Sequence, residues 1–100
     1  MLYIKRLLWD EWNIKHIARH NIVSDEVEAV CHNNPLILQG QKKGRLVVIS
    51  ETLEQRLLGV VLEAKGKGVY YPVTAYEADE YDTVLYNRLR GGGNNEDNKE

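Results

Sequence analysis

The chain of 100 residues contains no phenylalanine, one cysteine and two prolines. Because phenylalanine is absent, six tyrosines and two tryptophans supply all aromatic packing, and we expect most of the tyrosines in the core. The single cysteine, Cys31, excludes an internal disulfide and fits a reducing compartment. Residues 1–6 develop no apolar core of signal-peptide length, and no segment is long and apolar enough to cross a bilayer. We therefore expect a soluble, cytoplasmic protein.

Charge is distributed unevenly along the chain. Residues 1–70 contain ten lysines and arginines against eight acidic residues, whereas residues 71–100 contain three against seven, for a net charge of −2. Proteins that bind a nucleic acid backbone usually gain affinity by neutralising phosphates with Lys and Arg. The total charge gives no sign of such binding, so only a local basic patch would support it.

The first third of the chain predicts one strand and two helices. A strand is predicted over residues 2–9, followed by a helix that begins after the N-cap Asp10 and ends near Asn21. Asparagine is the second choice after glycine for the left-handed residue that closes a helix. Ser24 is predicted to cap a second, short helix that ends before Pro35.

The middle of the chain predicts an antiparallel sheet. The predicted strands are residues 36–38, 46–49, 57–62 and 69–75. Two turns rich in Gly and Lys, residues 40–44 and 65–68, join them, and connections this short imply antiparallel pairing. Pro72 cannot donate to a ladder, so it should occupy an edge position or a bulge.

A closing helix is predicted over residues 77–89, with one apolar stripe. The stripe consists of Ala78, Tyr81, Val84, Leu85 and Leu89. Residues 91–100 contain no apolar side chain, which predicts a disordered polar tail. We therefore expect one α+β domain over residues 1–90, in the order β-α-α-β-β-β-β-α, with helices packed on one face of an antiparallel sheet.

Trp9-Asp10, Arg19-His20-Asn21 and Gln55-Arg56 are short strings that resemble motifs of the BrnT family, and the resemblance covers roughly residues 6–89. Trp9-Asp10 matches the pair with which the family typically opens, and Arg19-His20-Asn21 occupies the position of its Lys-His-Gly. Gln55-Arg56 stands where a Gly-Arg pair typically begins a central strand. BrnT proteins are toxins of a bacterial type II toxin–antitoxin system. The resemblance implies a compact RelE-like ribonuclease fold, RNA as substrate, a small antitoxin as partner and no cofactor.

The chain departs from the BrnT pattern after the last predicted strand. Tyr76 stands where the family usually has Arg, and residues 77–82 supply four acids where the family's helix is basic. Cleavage of RNA without a metal needs a base, a proton donor and cations around the developing phosphorane charge. Two functions therefore stay open. One is a metal-independent ribonuclease toxin, and the other is a non-catalytic protein-interaction domain of the same fold with a basic partner.

The resemblance and the residue types together give the candidate site residues. In an active enzyme Arg56 would stabilise the phosphorane, His20 would serve as acid or base, and Glu80 would be a weaker candidate base. The candidate RNA contacts are His16 and the hairpin residues Lys42, Lys43 and Arg45, which would complete a basic patch with Arg56.

Each candidate also has a structural interpretation. His16 and His20 lie four residues apart, in one polar band with Asn13, and they fit side chains that hydrogen-bond the backbone and shield the core edge. A metal site there would need a third ligand, and no glutamate follows His16 as in the metalloprotease motif, so we predict no metal. The hairpin lysines fit a solvated turn, and Arg56 fits a structural role as well as a functional one.

Overall fold

The computed structural model describes residues 4–91, in which three α-helices accompany a five-stranded sheet. In chain order the elements are β1 (Arg6–Leu7), α1 (Glu11–Ala18), α2 (Ser24–Cys31), β2 (Leu36–Gln39), β3 (Arg45–Glu51), β4 (Leu57–Gly66), β5 (Val69–Glu77) and α3 (Glu80–Tyr86), followed by a π-helical turn (Asn87–Gly91). This order confirms the prediction. The predicted tail lies outside the described residues except for Gly91. Between residues 4 and 91, no helix combines the length and apolar composition of a membrane span.

The strands follow the spatial order β1-β5-β4-β3-β2. Strands β2 to β5 form an antiparallel meander, and the short β1 pairs with β5 in the parallel direction. In such a meander, alternate turns lie at the same end of the sheet. The β2–β3 and β4–β5 turns therefore share one end, and the β3–β4 loop lies at the other end together with the end of β5.

Helices α1 and α2 cover one face of the sheet. Val48, Val60 and Ala75 form one row across β3, β4 and β5, and all three are completely buried in the core. The helices contribute Ile17, Val27 and Val30 to this cluster, which also contains Ile22 and the buried tyrosine Tyr70. Burial of each large aliphatic side chain stabilises the fold by about 1.5–3 kcal/mol. The predicted packing of helices on one face holds for this pair.

The opposite face carries a second row in register, Ile49, Gly59 and Tyr76. Ile49 is completely buried there, and α3 contacts the same strand, β3. A Cβ atom built on Gly59 would lie 2.5 Å from the Tyr76 ring, so the ring lies directly over the glycine. Tyr76, which stands where the sequence resemblance predicts an arginine, is thus packed on the sheet.

Helix α1 is fixed at its start by a reciprocal cap. The Asn13 N–H donates to Asp10 Oδ1, and the Asp10 N–H donates to Asn13 Oδ1, each at 2.9 Å. Asn13 Nδ2 also donates to the carbonyls of Leu8 at 3.0 Å and Pro72 at 3.1 Å. Asn13 is completely buried, so its assignment to a polar band with the histidines is wrong. At the other end Asn21 has φ 61°, as predicted for the closing residue.

Two further local predictions can be compared with the backbone. The cap of α2 is Val23 and not Ser24, and the Val23 N–H is satisfied by Glu26 Oε1 at 3.0 Å. The predicted irregularity at Pro72 is confirmed. The β4–β5 register moves from Val61 opposite Thr74 to Leu62 opposite Pro72, which places a bulge beside the proline.

The closing helix is shorter and more exposed than predicted. Asp79 caps it by accepting a hydrogen bond from the Asp82 N–H at 2.8 Å. Its apolar stripe is only partly covered, since Tyr81 is 72% exposed, Val84 49% and Leu89 53%. The expectation that most tyrosines lie in the core is also wrong. Tyr70 is buried, whereas Tyr71, Tyr76 and Tyr86 are half-buried.

Candidate functional site

Arg56 joins four segments at one end of the sheet. Its Nη1 donates to the Asn21 carbonyl at 2.9 Å and to Glu26 Oε2 at 3.0 Å, and its Nε donates to Glu77 Oε2 at 2.9 Å. The hydrogen bond to Glu77 is the main reason that the pKa of Arg56 rises above its ordinary value. Arg56 therefore remains cationic, and two carboxylates neutralise its charge.

The same contacts bring to this end the two chain segments that carry the other catalytic candidates, but no hydrogen bond or ion pair joins His20 or Glu80 to Arg56 among the described residues. His20 precedes Asn21, whose carbonyl accepts from Arg56, and Glu80 follows three residues after Glu77. Both His20 and Glu80 are exposed and open to a ligand from solvent. Their catalytic roles, and that of Arg56, stay predictions.

An open pocket of about 400 Å³ lies beside Arg56. Glu26 and Glu54 contribute carboxylates to its wall, and two apolar side chains project from it, with Leu53 93% exposed and Val23 58%. Eight acidic residues lie on the segments that meet here, which we call the acidic end: Asp25, Glu26, Glu51, Glu54, Glu77, Asp79, Glu80 and Asp82. Burial, with a smaller effect of Asp79, raises the pKa of Asp82. This end suits a cationic ligand better than a polyanion.

The candidate RNA contacts in the β2–β3 turn lie far from Arg56. Arg45 pairs with Glu63 in the β3–β4 register, whereas Leu57, which follows Arg56, pairs with Glu51. Arg45 and Glu51 are six residues apart on β3, which corresponds to about 20 Å along the strand. The expectation that the hairpin cations complete one basic patch with Arg56 is therefore wrong.

The β2–β3 turn lies instead beside other cations that the sequence analysis missed. The Ala64 N–H donates to the Gly44 carbonyl at 2.9 Å, and the Lys5 and Arg6 N–H groups donate to the Gly68 carbonyl at 2.8 and 3.2 Å. These contacts define a basic end made of Lys5, Arg6, Lys42, Lys43, Arg45, Lys65 and Lys67. The predicted meander was itself a signal, because both lysine- and glycine-rich turns had to fall at one end of it.

The outer face of α1 carries an aromatic stack. The Trp12 and His16 rings are stacked with centroids 4.8 Å apart, and His20 meets His16 edge-on at 6.1 Å. Trp12 is 57% exposed beside Lys15, which pairs with Glu11 at 3.1 Å. The candidate RNA contact His16 thus presents an aromatic surface next to a cation, a combination that also occurs in proteins that bind single-stranded nucleic acids.

Metal and thiol chemistry find no support in the part of the chain that the structure describes. Residues 4–91 contain no group of three or more His, Cys, Asp or Glu side chains arranged to hold a metal ion. Cys31 is buried, and burial raises the pKa of its thiol to about 12. Near neutral pH the thiol is protonated, and a protonated thiol is a poor nucleophile.

Comparison with known proteins gives one informative likeness. No family model and no curated protein sequence matches the chain. The crystal structure of the Brucella abortus ribonuclease toxin BrnT matches with a TM-score of 0.60 and 20% sequence identity, covering 75% of this chain and 97% of that chain. At this identity the likeness concerns the backbone, and it extends over nearly the whole of the solved protein. The chain therefore has a BrnT-like α+β fold.

Proposed function

We propose that the chain is a BrnT-like toxin of a type II toxin–antitoxin module that cleaves RNA without a metal ion. The observation that carries this proposal is the likeness to the Brucella abortus ribonuclease toxin, which spans 97% of that chain. In the proposed module a small antitoxin is the partner. The exposed acidic end, with Leu53 and Val23 projecting beside its carboxylates, supports a basic partner with apolar side chains.

The proposed reaction uses Arg56 and Glu80 at the acidic end together with His20, which directly precedes the Arg56 contact Asn21. Glu80 removes the proton from the RNA 2′-OH, whose oxygen then bonds to the adjacent phosphorus. His20 gives a proton to the 5′-oxygen as its bond to phosphorus breaks, and Arg56 stabilises the charge of the phosphorane. Since Arg56 is held by Glu26 and Glu77, it has to release at least one carboxylate to reach the phosphate.

Induced expression in a bacterial host tests this function. Wild type should arrest growth, and His20→Ala or Glu80→Gln should relieve the arrest, because each removes a proton-transfer group worth about 10²–10⁴-fold in rate. His32→Ala is the matched control, since His32 is exposed but lies at the end of α2. The purified protein should cleave RNA equally well in EDTA. Harmless expression of soluble wild type would contradict the toxin proposal.

The environment of Arg56 favours a second candidate, a non-catalytic interaction domain of the same fold. The Arg56 guanidinium contacts two carboxylates and a carbonyl, and 27% of its side chain is exposed. Such contacts are typical of an arginine that holds chain segments together. The surrounding acids repel RNA and attract a basic protein.

One substitution separates the two candidates. Glu77→Gln keeps the side-chain shape but removes one carboxylate charge from Arg56, and Glu77 is 65% exposed, so the fold should tolerate the change. If Arg56 acts on phosphate, Glu77→Gln should raise the RNA cleavage rate above that of wild type. If the domain is non-catalytic, neither protein cleaves RNA. Glu51→Gln, at the end of β3, is the charge-matched control in the same assay.

A further inference from the structure

The basic end concentrates positive charge in an otherwise acidic chain. Its seven cations come from three separate stretches of sequence, residues 5–6, 42–45 and 65–67, which the fold brings to one end of the sheet. One acid lies among them, Glu63, at the Arg45 level of the sheet. The chain as a whole has a net charge of −2, so this concentration results from the fold and not from composition.

These cations are available to a ligand. All are exposed except Arg45, which is half-buried. Lys65 lies 3.7 Å from Glu63, and within residues 4–91 the other six cations form no ion pair with a described side chain. The hydrogen bonds between the turns and β1 fix the backbone that carries them. Apart from Lys65, the surface therefore presents cations without an ion-pair partner among the described side chains, spread across β1, β5, β4 and β3 over about 15 Å at the usual strand spacing.

The character of this surface favours a polyanion over a lipid bilayer. Amphipathic segments that lie in a membrane interface insert large apolar side chains next to their cations. The exposed large apolar residues of the described chain are Trp12, Ile14, Val23, Leu53, Tyr81, Val84 and Leu89, and none belongs to the basic end. Phosphate contacts from Lys and Arg alone give sequence-independent binding to a nucleic acid backbone.

We propose that the basic end binds the phosphate backbone of RNA, at the end of the sheet opposite to Arg56. The choice of RNA as the polyanion rests on the proposed function, whereas the location of the site rests on the two turns and β1. RNA bound at the basic end is therefore held about 20 Å along the sheet from the position of Arg56. The site contributes affinity without chemistry.

Fluorescence anisotropy with a fully 2′-O-methylated single-stranded RNA tests this proposal, because that probe binds but cannot be cleaved at a 2′-OH. Two double variants remove cations from the basic end, Lys42→Gln/Lys43→Gln and Lys65→Gln/Lys67→Gln. In each double variant, the slope of the logarithm of the association constant against the logarithm of the salt concentration should fall in magnitude by about 1.4. Binding at 0.1 M salt should weaken roughly 20-fold, and the quadruple variant should lose both sets of contacts. The control is Arg88→Gln, which removes one positive charge from an exposed position in the π-helical turn and should leave the affinity unchanged.

The outcomes are distinct. Loss of affinity in the two basic-end variants, with the control unchanged, supports the proposal. Equal weakening in all three, no binding by wild type, or binding only to anionic phospholipid vesicles overturns it. A DNA strand of the same sequence shows whether the 2′ position contributes. Growth arrest tests the proposed function separately, because RNA binding without arrest leaves this site standing and removes only the toxin activity.

Discussion

Asn13 connects the start of α1 to two other parts of the chain. Its amide nitrogen donates to the Leu8 and Pro72 carbonyls, and its oxygen completes the cap with Asp10. A helical wheel places Asn13 in one band with His16 and His20, but it does not show which side of the helix packs against the sheet. Pro72 is 59 residues away in sequence, so this contact could not be read from local spacing.

Asn13→Ala should lower the free energy of unfolding by about 2–4 kcal/mol. The substitution removes half of the helix cap and leaves two carbonyls without their donor in a buried site. Urea denaturation measures the change, with Lys15→Ala as control, because the exposed Lys15–Glu11 pair should contribute less than about 0.5 kcal/mol. A cost for Asn13→Ala no larger than that of the control would show that the amide contacts contribute little.

Among the elements, the strands were predicted more accurately than the contacts between them. Alternation and turn residues sufficed for β2 to β5 and for the bulge at Pro72. The partners of Arg56 lie 21 to 35 residues away in sequence, so no local pattern indicated that this cation is neutralised. The last helix was predicted to begin too early, because Glu77 still belongs to β5 and Asp79 caps the helix, and its apolar spacing gave no sign that much of the stripe is exposed.

The close packing of the Tyr76 ring of β5 on Gly59 of β4 can be tested by substitution. Gly59→Ala should destabilise the protein by about 1–3 kcal/mol, because the new Cβ would lie 2.5 Å from the Tyr76 ring. In a Tyr76→Ala background the same substitution should cost little, since the ring is gone. A double-mutant cycle by thermal or urea unfolding measures the coupling. Additive effects of the two substitutions would contradict the close packing.

At the scale of the whole molecule, charge is separated along the sheet. The acidic end and the basic end lie at opposite ends of β3, β4 and β5. Sequence counts divide the charge by position in the chain and find only a modest excess of acids after residue 70. The fold redistributes it, because a meander returns alternate turns to one end. The predicted topology already implied that the two lysine-rich turns share one end of the sheet, although the sequence analysis did not draw that conclusion, whereas the places of Lys5, Arg6 and Arg56 required the three-dimensional structure.

This separation gives the described part of the chain an electric dipole directed along its strands. In the field of a polyanion such a dipole experiences a torque that turns the positive pole toward the strand during approach. Encounters are thus pre-oriented within about 10 Å at moderate ionic strength, and this effect fades as salt is added. The negative pole, which carries Arg56, then faces away from the phosphates bound at the basic end and stays open to the proposed basic partner. If both proposals hold, a basic protein at the acidic end covers Arg56 and so blocks cleavage, while RNA can stay bound at the basic end.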